Sequence, residues 1–246
     1  MIKLARSPEP QYLKDNKNEF WVSLEDAINK YGSYKLIPKL EKEKLVGFYR
    51  HPEVKVPLVK SSNGKCAFCE CIPSEGGNVE VEHYRPKSLY PELTFEWGNL
   101  LPACHRCNGD KFDHDTGVEP IVNPFDCDPK DYFYFDGLNI KGLQGVGNEI
   151  AERTIEVCGL NSLRLWEPRS KIYVSLHDFE ASLFTAINNY NEAVTPVKKR
   201  NRLKSIRESV DRIEMLAREG ERYSSFCASY LNGSEIYKGA KKLISE

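Results

Sequence analysis

The spacing of apolar positions changes along the chain, and each change marks an element. From about residue 148 apolar residues recur at three and four, with Ile150, Thr154, Ile155 and Cys158 forming one stripe that stops at Gly159. The spacing predicts a helix there, a short one capped by Asn161 or Ser162, a longer one over 177–193, and another opened by Pro196. In that last helix Leu203, Ile206, Val210, Ile213 and Leu216 share one face. Residues 221–246 read as a short closing helix with a frayed basic end.

Before residue 148 the pattern is broken by prolines and glycines. Residues 1–18 read as a polar arm or tail. Ser23, with Asp26 at the third position of a capping box, predicts a helix running to Tyr31, and the charged stretch 38–49 predicts a second. Residues 51–59 are extended at best, because Pro52 and Pro57 exclude a central strand, and His51 reads as a surface or turn residue. The alternation N-V-E-V-E-H predicts a strand ending at His83, with Val79 and Val81 on one face. Residues 91–100 read as a second strand and turn with Trp97 in the core, followed by a helix from 104–107 toward Phe112. D-Y-F-Y-F-D-G-L-N-I reads as a hairpin turning at Asp136-Gly137. The outcome is an α+β chain divided at 1–60 (arm and helices), 61–125 (a compact core) and 126–246 (hairpin and helices).

Composition narrows the partners. A net charge of -1 over 246 residues argues against a free-standing, tight nucleic-acid binder, since backbone affinity comes largely from Lys and Arg. It suits a subunit brought to its substrate by another protein. The cations of K-K-R-N-R-L-K at 198–204 are either a solvated face or a phosphate-contacting flank. No run of apolar residues approaches a transmembrane length, and eight cysteines without an apolar leading run point to a reducing cytoplasm.

The chemistry is concentrated between Cys66 and Lys111. Cys66 and Cys69 form one C-x2-C pair and Cys104 and Cys107 another, the two knuckles that a four-cysteine zinc site requires. Cys71, in C-E-C, competes with Cys69, but two bridging residues suit a knuckle better. A disulfide framework is disfavoured, because Cys71, Cys127, Cys158 and Cys227 show no pairing. Between the knuckles lie Glu82 and His83, then Asn99, and Asn108 follows the last cysteine. Glu82 and the Asn108 amide oxygen suit a hard divalent cation. His83 can take a proton from water, and Asn99 can orient the imidazole. Arg85 and Lys87 flank Pro86 where phosphate oxygens would lie, and Lys111 stands one helical turn beyond Cys107. His105 could compete with Asn108 but reads as an outer or surface residue, while the contiguous Asp113, His114 and Asp115 read as a polar exit loop.

Taken together, E-H-Y-R-P-K, W-G-N-L and C-H-R-C-N-G-D-K resemble the HNH endonucleases of the beta-beta-alpha-metal class, in the subgroup braced by a four-cysteine zinc. The resemblance implies a ββα-metal core embedded in a mostly helical protein. It implies His83 as general base, Glu82 and Asn108 as ligands of Mg2+ or Mn2+, and Asn99 orienting His83 or its loop. Glu at 82, where Asp is commoner, is one methylene longer. The resemblance is nearest to HNH subunits of anti-phage systems, some found beside retrons. This implies nucleic acid, chiefly DNA, as substrate and an ABC- or SMC-type ATPase as partner. It also admits a retron reverse transcriptase and its DNA–RNA product as neighbours. The competing class is a non-catalytic zinc module that binds nucleic acid or tethers another protein. The sequence has no P-loop, so nucleotide control would come from the partner.

Overall fold

A computed structural model describes residues 1–75 and 77–245 and divides the chain into two compact units. The first comprises Met1–Phe133 and Gly142–Leu160. It contains α1 (Gln11–Tyr31), α2 (Lys39–Val46), α3 (Pro52–Ser61), β1 (Glu80–His83), β2 (Leu100–Ala103), α4 (His105–Lys111) and α5 (Asn148–Val157). Strands β1 and β2 pair antiparallel, with Glu80 opposite Ala103 and His83 opposite Leu100. Leu13, Phe20, Leu24 and Ala27 bury one face of α1 against Val46, Val54, Leu58, Phe95, Trp97 and Leu100. Fully burying a leucine such as Leu24 contributes roughly 1.5–3 kcal/mol. Trp97 is therefore core, as the sequence suggests.

Residues before α1 form an arm that fixes the turn ahead of β2. Arg6 donates to the carbonyls of Trp97 (2.5 Å), Leu100 (3.0 Å) and Gly98 (3.0 Å), and Trp97 Nε1 donates to the Ser7 carbonyl at 2.8 Å.

Several elements differ from expectation. Helix α1 starts at Gln11 after Pro10, not at Ser23, because the Leu13 and Phe20 positions extend the same apolar face; Ser23 lies exposed in mid-helix. Residues 52–61 are helical, not extended. Pro52 occupies the first turn, where no N–H is needed, His51 accepts from Glu53 N, and burial of Val54 and Leu58 offsets the bond lost at Pro57. The stretch 91–99 contains two short 3-10 turns, Pro91–Leu93 and Trp97–Asn99, and the second strand begins only at Leu100.

The second unit comprises Tyr134–Lys141 and Asn161–Glu246, with Glu246 itself outside the described residues. The hairpin of β3 (Phe133–Asp136) and β4 (Asn139–Gly142) places most of its residues here, with Gly137 at a φ of 55° in the turn. Asn161 does not cap a helix; its amide brackets Ile140, accepting from the N–H at 2.9 Å and donating to the carbonyl at 2.8 Å. Helix α6 (Leu163–Asn191) is a single long helix despite Pro168 near its start, where two helices were expected. It is followed by α7 (Pro196–Met215), α8 (Ser224–Gly233) and α9 (Glu235–Ser245). Ile206 and Val210 of the apolar stripe pack with Leu183 and Ala240, so that stripe is core. Among the described residues no helix is long and apolar enough to cross a membrane.

The two placements of Ser23 differ in sign when tested. As a helix cap, Ser23→Ala would lose about 1 kcal/mol; as an exposed mid-helix residue it gains about 0.5 kcal/mol from propensity. A small upward shift in the urea midpoint is expected, and a clear decrease would restore the later helix start.

Candidate functional site

Two short strands and the two-turn α4 carry the site, and their positions are fixed by sulfur. In the first knuckle Cys66 N donates to the Cys71 carbonyl at 2.9 Å and Glu70 N to the Cys66 carbonyl at 3.0 Å, with Glu70 at a φ of 62°. Ala67 N donates to the Pro102 carbonyl at 2.8 Å, tying this loop to β2. In the second, Cys104 caps α4, its sulfur accepting from Cys107 N at 3.4 Å. The sulfurs of Cys66, Cys69, Cys104 and Cys107 are buried and lie within 4.8 Å of one another. A tetrahedron with Zn–S bonds near 2.3 Å has edges of about 3.8 Å, and Cys69 and Cys104 are 3.8 Å apart. The cluster can therefore hold a zinc ion. Cys71 lies outside it, half-buried. Cys158, on the residue after α5, contributes its carbonyl to the Cys107 thiol at 3.6 Å.

Beside this cluster a cleft of about 490 Å³ is floored by Glu80, Glu82, His83 and Asn108, with Lys35, Lys42 and Lys87 among its lining residues. Strand alternation puts Glu80 and Glu82 on the side of α4. Lys111, fully buried, donates to Glu82 Oε1 at 2.6 Å and to the His83 carbonyl at 2.8 Å. Burial raises the Glu82 pKa, and the Lys111 charge opposes that rise.

His83 ends β1, its ring set edge-on to Tyr49 with centroids 4.6 Å apart. Its Nε2 lies 2.9 Å from the Thr94 carbonyl. A carbonyl only accepts, so Nε2 carries the proton and Nδ1 is left with its lone pair. Burial, and then the Lys87 charge, push His83 down to about 3, so the ring is neutral at physiological pH.

Asn99 is committed to the loop after His83. Its Oδ1 accepts from Arg85 N at 2.8 Å, and its Nδ2 donates to the carbonyls of Arg85 (3.0 Å) and Leu93 (3.2 Å). Arg85 is exposed, its guanidinium 5.5 Å from the Tyr90 ring, and half-buried Lys87 stands 5.5 Å from the Tyr49 ring. On α4, Asn108 Nδ2 donates to Glu80 Oε2 at 2.6 Å, and His105 Nδ1 lies 2.9 Å from Glu80 Oε1.

No protein-family model matches the chain. Over 196 residues it is 34% identical to the Septu protein PtuB of Bacillus thuringiensis, across 78% of this chain and 74% of that protein. A Septu protein PtuB from Bacillus mycoides (strain KBAB4) is 29% identical over 204 residues, 70% of this chain and 67% of that one. The chain belongs to the Septu PtuB family.

In this PtuB-family chain Glu82, His83 and Asn108 meet at one cleft, with Asn99 beneath its loop. Lys111 departs from expectation: sealed from solvent and engaged by Glu82, it cannot reach a phosphate and acts as an internal cation. Sequence reasoning passed over Glu80, although the alternation that places Glu82 places Glu80 on the same face two residues earlier. His105, left aside as outer or surface, is joined to Glu80. Asp115 accepts from Tyr90 Oη (2.7 Å) and from Gly117 N (2.9 Å), as suits an exit loop.

Two measurements test this architecture. Elemental analysis should find one zinc per chain, and Cys107→Ser should lose it and speed amide exchange across 80–111, because metal binding and local folding are coupled; a zinc-free, fully folded protein would contradict the site. Lys111→Met strands a buried carboxylate and should destabilise the first unit by about 3–5 kcal/mol, with partial recovery in the Lys111→Met, Glu82→Gln double variant. A neutral single variant would show that the pair is dispensable.

Proposed function

We propose that this chain is a metal-dependent HNH endonuclease, acting chiefly on DNA, and the effector of an anti-phage complex. The observation that carries the reading is His83: a neutral imidazole, held through Nε2 with Nδ1 unprotonated, on a residue that lines a cleft floored by carboxylates and an amide and bordered by lysines. Glu82 and Asn108 offer the oxygen donors that a hard cation prefers, and would hold Mg2+ or Mn2+. When bound, such a cation stabilises charge on the phosphate and the leaving oxygen. His83 removes the proton from the attacking water. Lys87 and exposed Arg85 receive phosphate oxygens, and Asn99 keeps their loop in register with β2.

The second unit is the proposed docking region for an ABC- or SMC-type ATPase, PtuA-like, which supplies substrate affinity and nucleotide control. Near-neutral charge and a helical half larger than a ββα core needs support this. Since the Ile206–Val210 stripe is internal, docking would use outward residues such as Phe184, Val197 and the exposed cations at the start of α7. On size-exclusion chromatography after co-expression the two proteins should co-elute; Phe184→Glu with Val197→Glu should separate them, and undiminished co-elution would move the interface elsewhere.

His83→Ala should retain zinc and fold while losing plasmid cleavage in Mg2+ or Mn2+ by on the order of 10²-fold or more. Undiminished cleavage by that variant removes His83 from the reaction; no cleavage by the wild-type protein, with or without the ATPase, leaves a non-catalytic zinc adaptor.

A further inference from the structure

We propose that Glu80 is a positioning residue that decides which end of the Asn108 side chain faces the catalytic cation. The inference rests on the nuclease reading, since it concerns that reading's cation. An asparagine amide has a donor end and an acceptor end, related by a simple flip, and only the oxygen can ligate a hard cation. In a site that draws one ligand from an amide, something must select the orientation.

Glu80 can do so because an ionised carboxylate only accepts. Its Oε2 takes the Asn108 Nδ2–H at 2.6 Å, which turns Oδ1 away from Glu80; Asn108 lines the cleft, and its Oδ1 has no hydrogen-bond partner among the described residues. The other oxygen, Oε1, faces His105 Nδ1 at 2.9 Å. The carboxylate is thus held from both sides, and its backbone is held by pairing with β2 opposite Ala103. Donation runs inward from both neighbours: His105 to Glu80, and Asn108 to Glu80. With both oxygens engaged, Glu80 serves as a fixed acceptor, and the amide it orients is the ligand.

This orienting role depends on the two ends of an amide being different. In Glu80→Ala the Asn108 amide is released, and release to equal orientations weakens apparent affinity about twofold. An aspartate at 108 has an oxygen at either end and needs no orienting. In an Asn108→Asp background Glu80→Ala should therefore cost nothing, and relief of the facing carboxylates should favour it.

The test is Mn2+ titration of the zinc-loaded full chain, without nucleic acid, followed by electron paramagnetic resonance of free Mn2+. Zinc content and melting temperature of each variant control for folding. Affinity should fall about twofold from wild type to Glu80→Ala, and should hold or rise from Asn108→Asp to the Asn108→Asp, Glu80→Ala double variant. If Glu80 were a direct ligand or only a local charge, its removal would weaken binding in both backgrounds; that result, or an unchanged affinity in Glu80→Ala, overturns the proposal. Failure of the nuclease reading is separable: it would show as the expected pattern of Mn2+ affinity without cleavage that depends on His83. A wild-type chain that takes up no Mn2+ overturns both.

Discussion

Four sulfurs within 4.8 Å of one another are the constraint on which the cleft depends. The elements that carry the site are small: two four-residue strands and a seven-residue helix. Neither a two-stranded ribbon nor a helix of that length is stable alone in water. Cys104 and Cys107 join the start of α4 to the loop of Cys66 and Cys69, and Ala67 joins that loop to β2. A cation at the centre of the cluster would convert these weak local contacts into one cross-linked object, and the positions of Glu80, Glu82 and Asn108 would inherit the rigidity of the sulfur site.

The electrostatics of the cleft are arranged in two layers. Inside, Lys111 balances Glu82 and also takes the His83 carbonyl, so one ammonium couples β1 to α4. Outside, Lys35, Lys42 and Lys87 line an opening whose floor is acidic. A chain of net charge -1 thus still concentrates positive charge where an anion would arrive and negative charge where a cation would sit. The average charge conceals this separation, because charges of opposite sign lie on neighbouring elements.

Much of the site was legible in the sequence because its determinants are local. The C-x2-C spacing selects Cys69 over Cys71 correctly, since a knuckle needs two intervening residues to turn. The alternation through Glu82 and His83 marks the strand. What was hidden depends on contacts between elements. Nothing near Lys111 in the chain says that its ammonium is buried; that follows only from where Glu82 stands across the β1–α4 contact. The helix ends misled for a related reason. Pro57 is a poor interior residue by propensity, yet burial of Val54 and Leu58 outweighs the missing bond. Glu80 was readable from alternation alone and was passed over because the motif begins two residues later.

The first unit is discontinuous: its last stretch, 142–160, returns after the hairpin to bring the Cys158 carbonyl against the Cys107 thiol. This has a consequence for biosynthesis. The four cysteines are all translated by residue 107, but the segment that completes their surroundings emerges about 50 residues later, roughly 3–10 s at ordinary elongation rates. During that interval the cysteines lack the backbone that packs against Cys107 in the finished unit. A metal ion arriving then would meet a cluster still open beside Cys107, because the order of synthesis leaves that side unclosed until after the hairpin has been made.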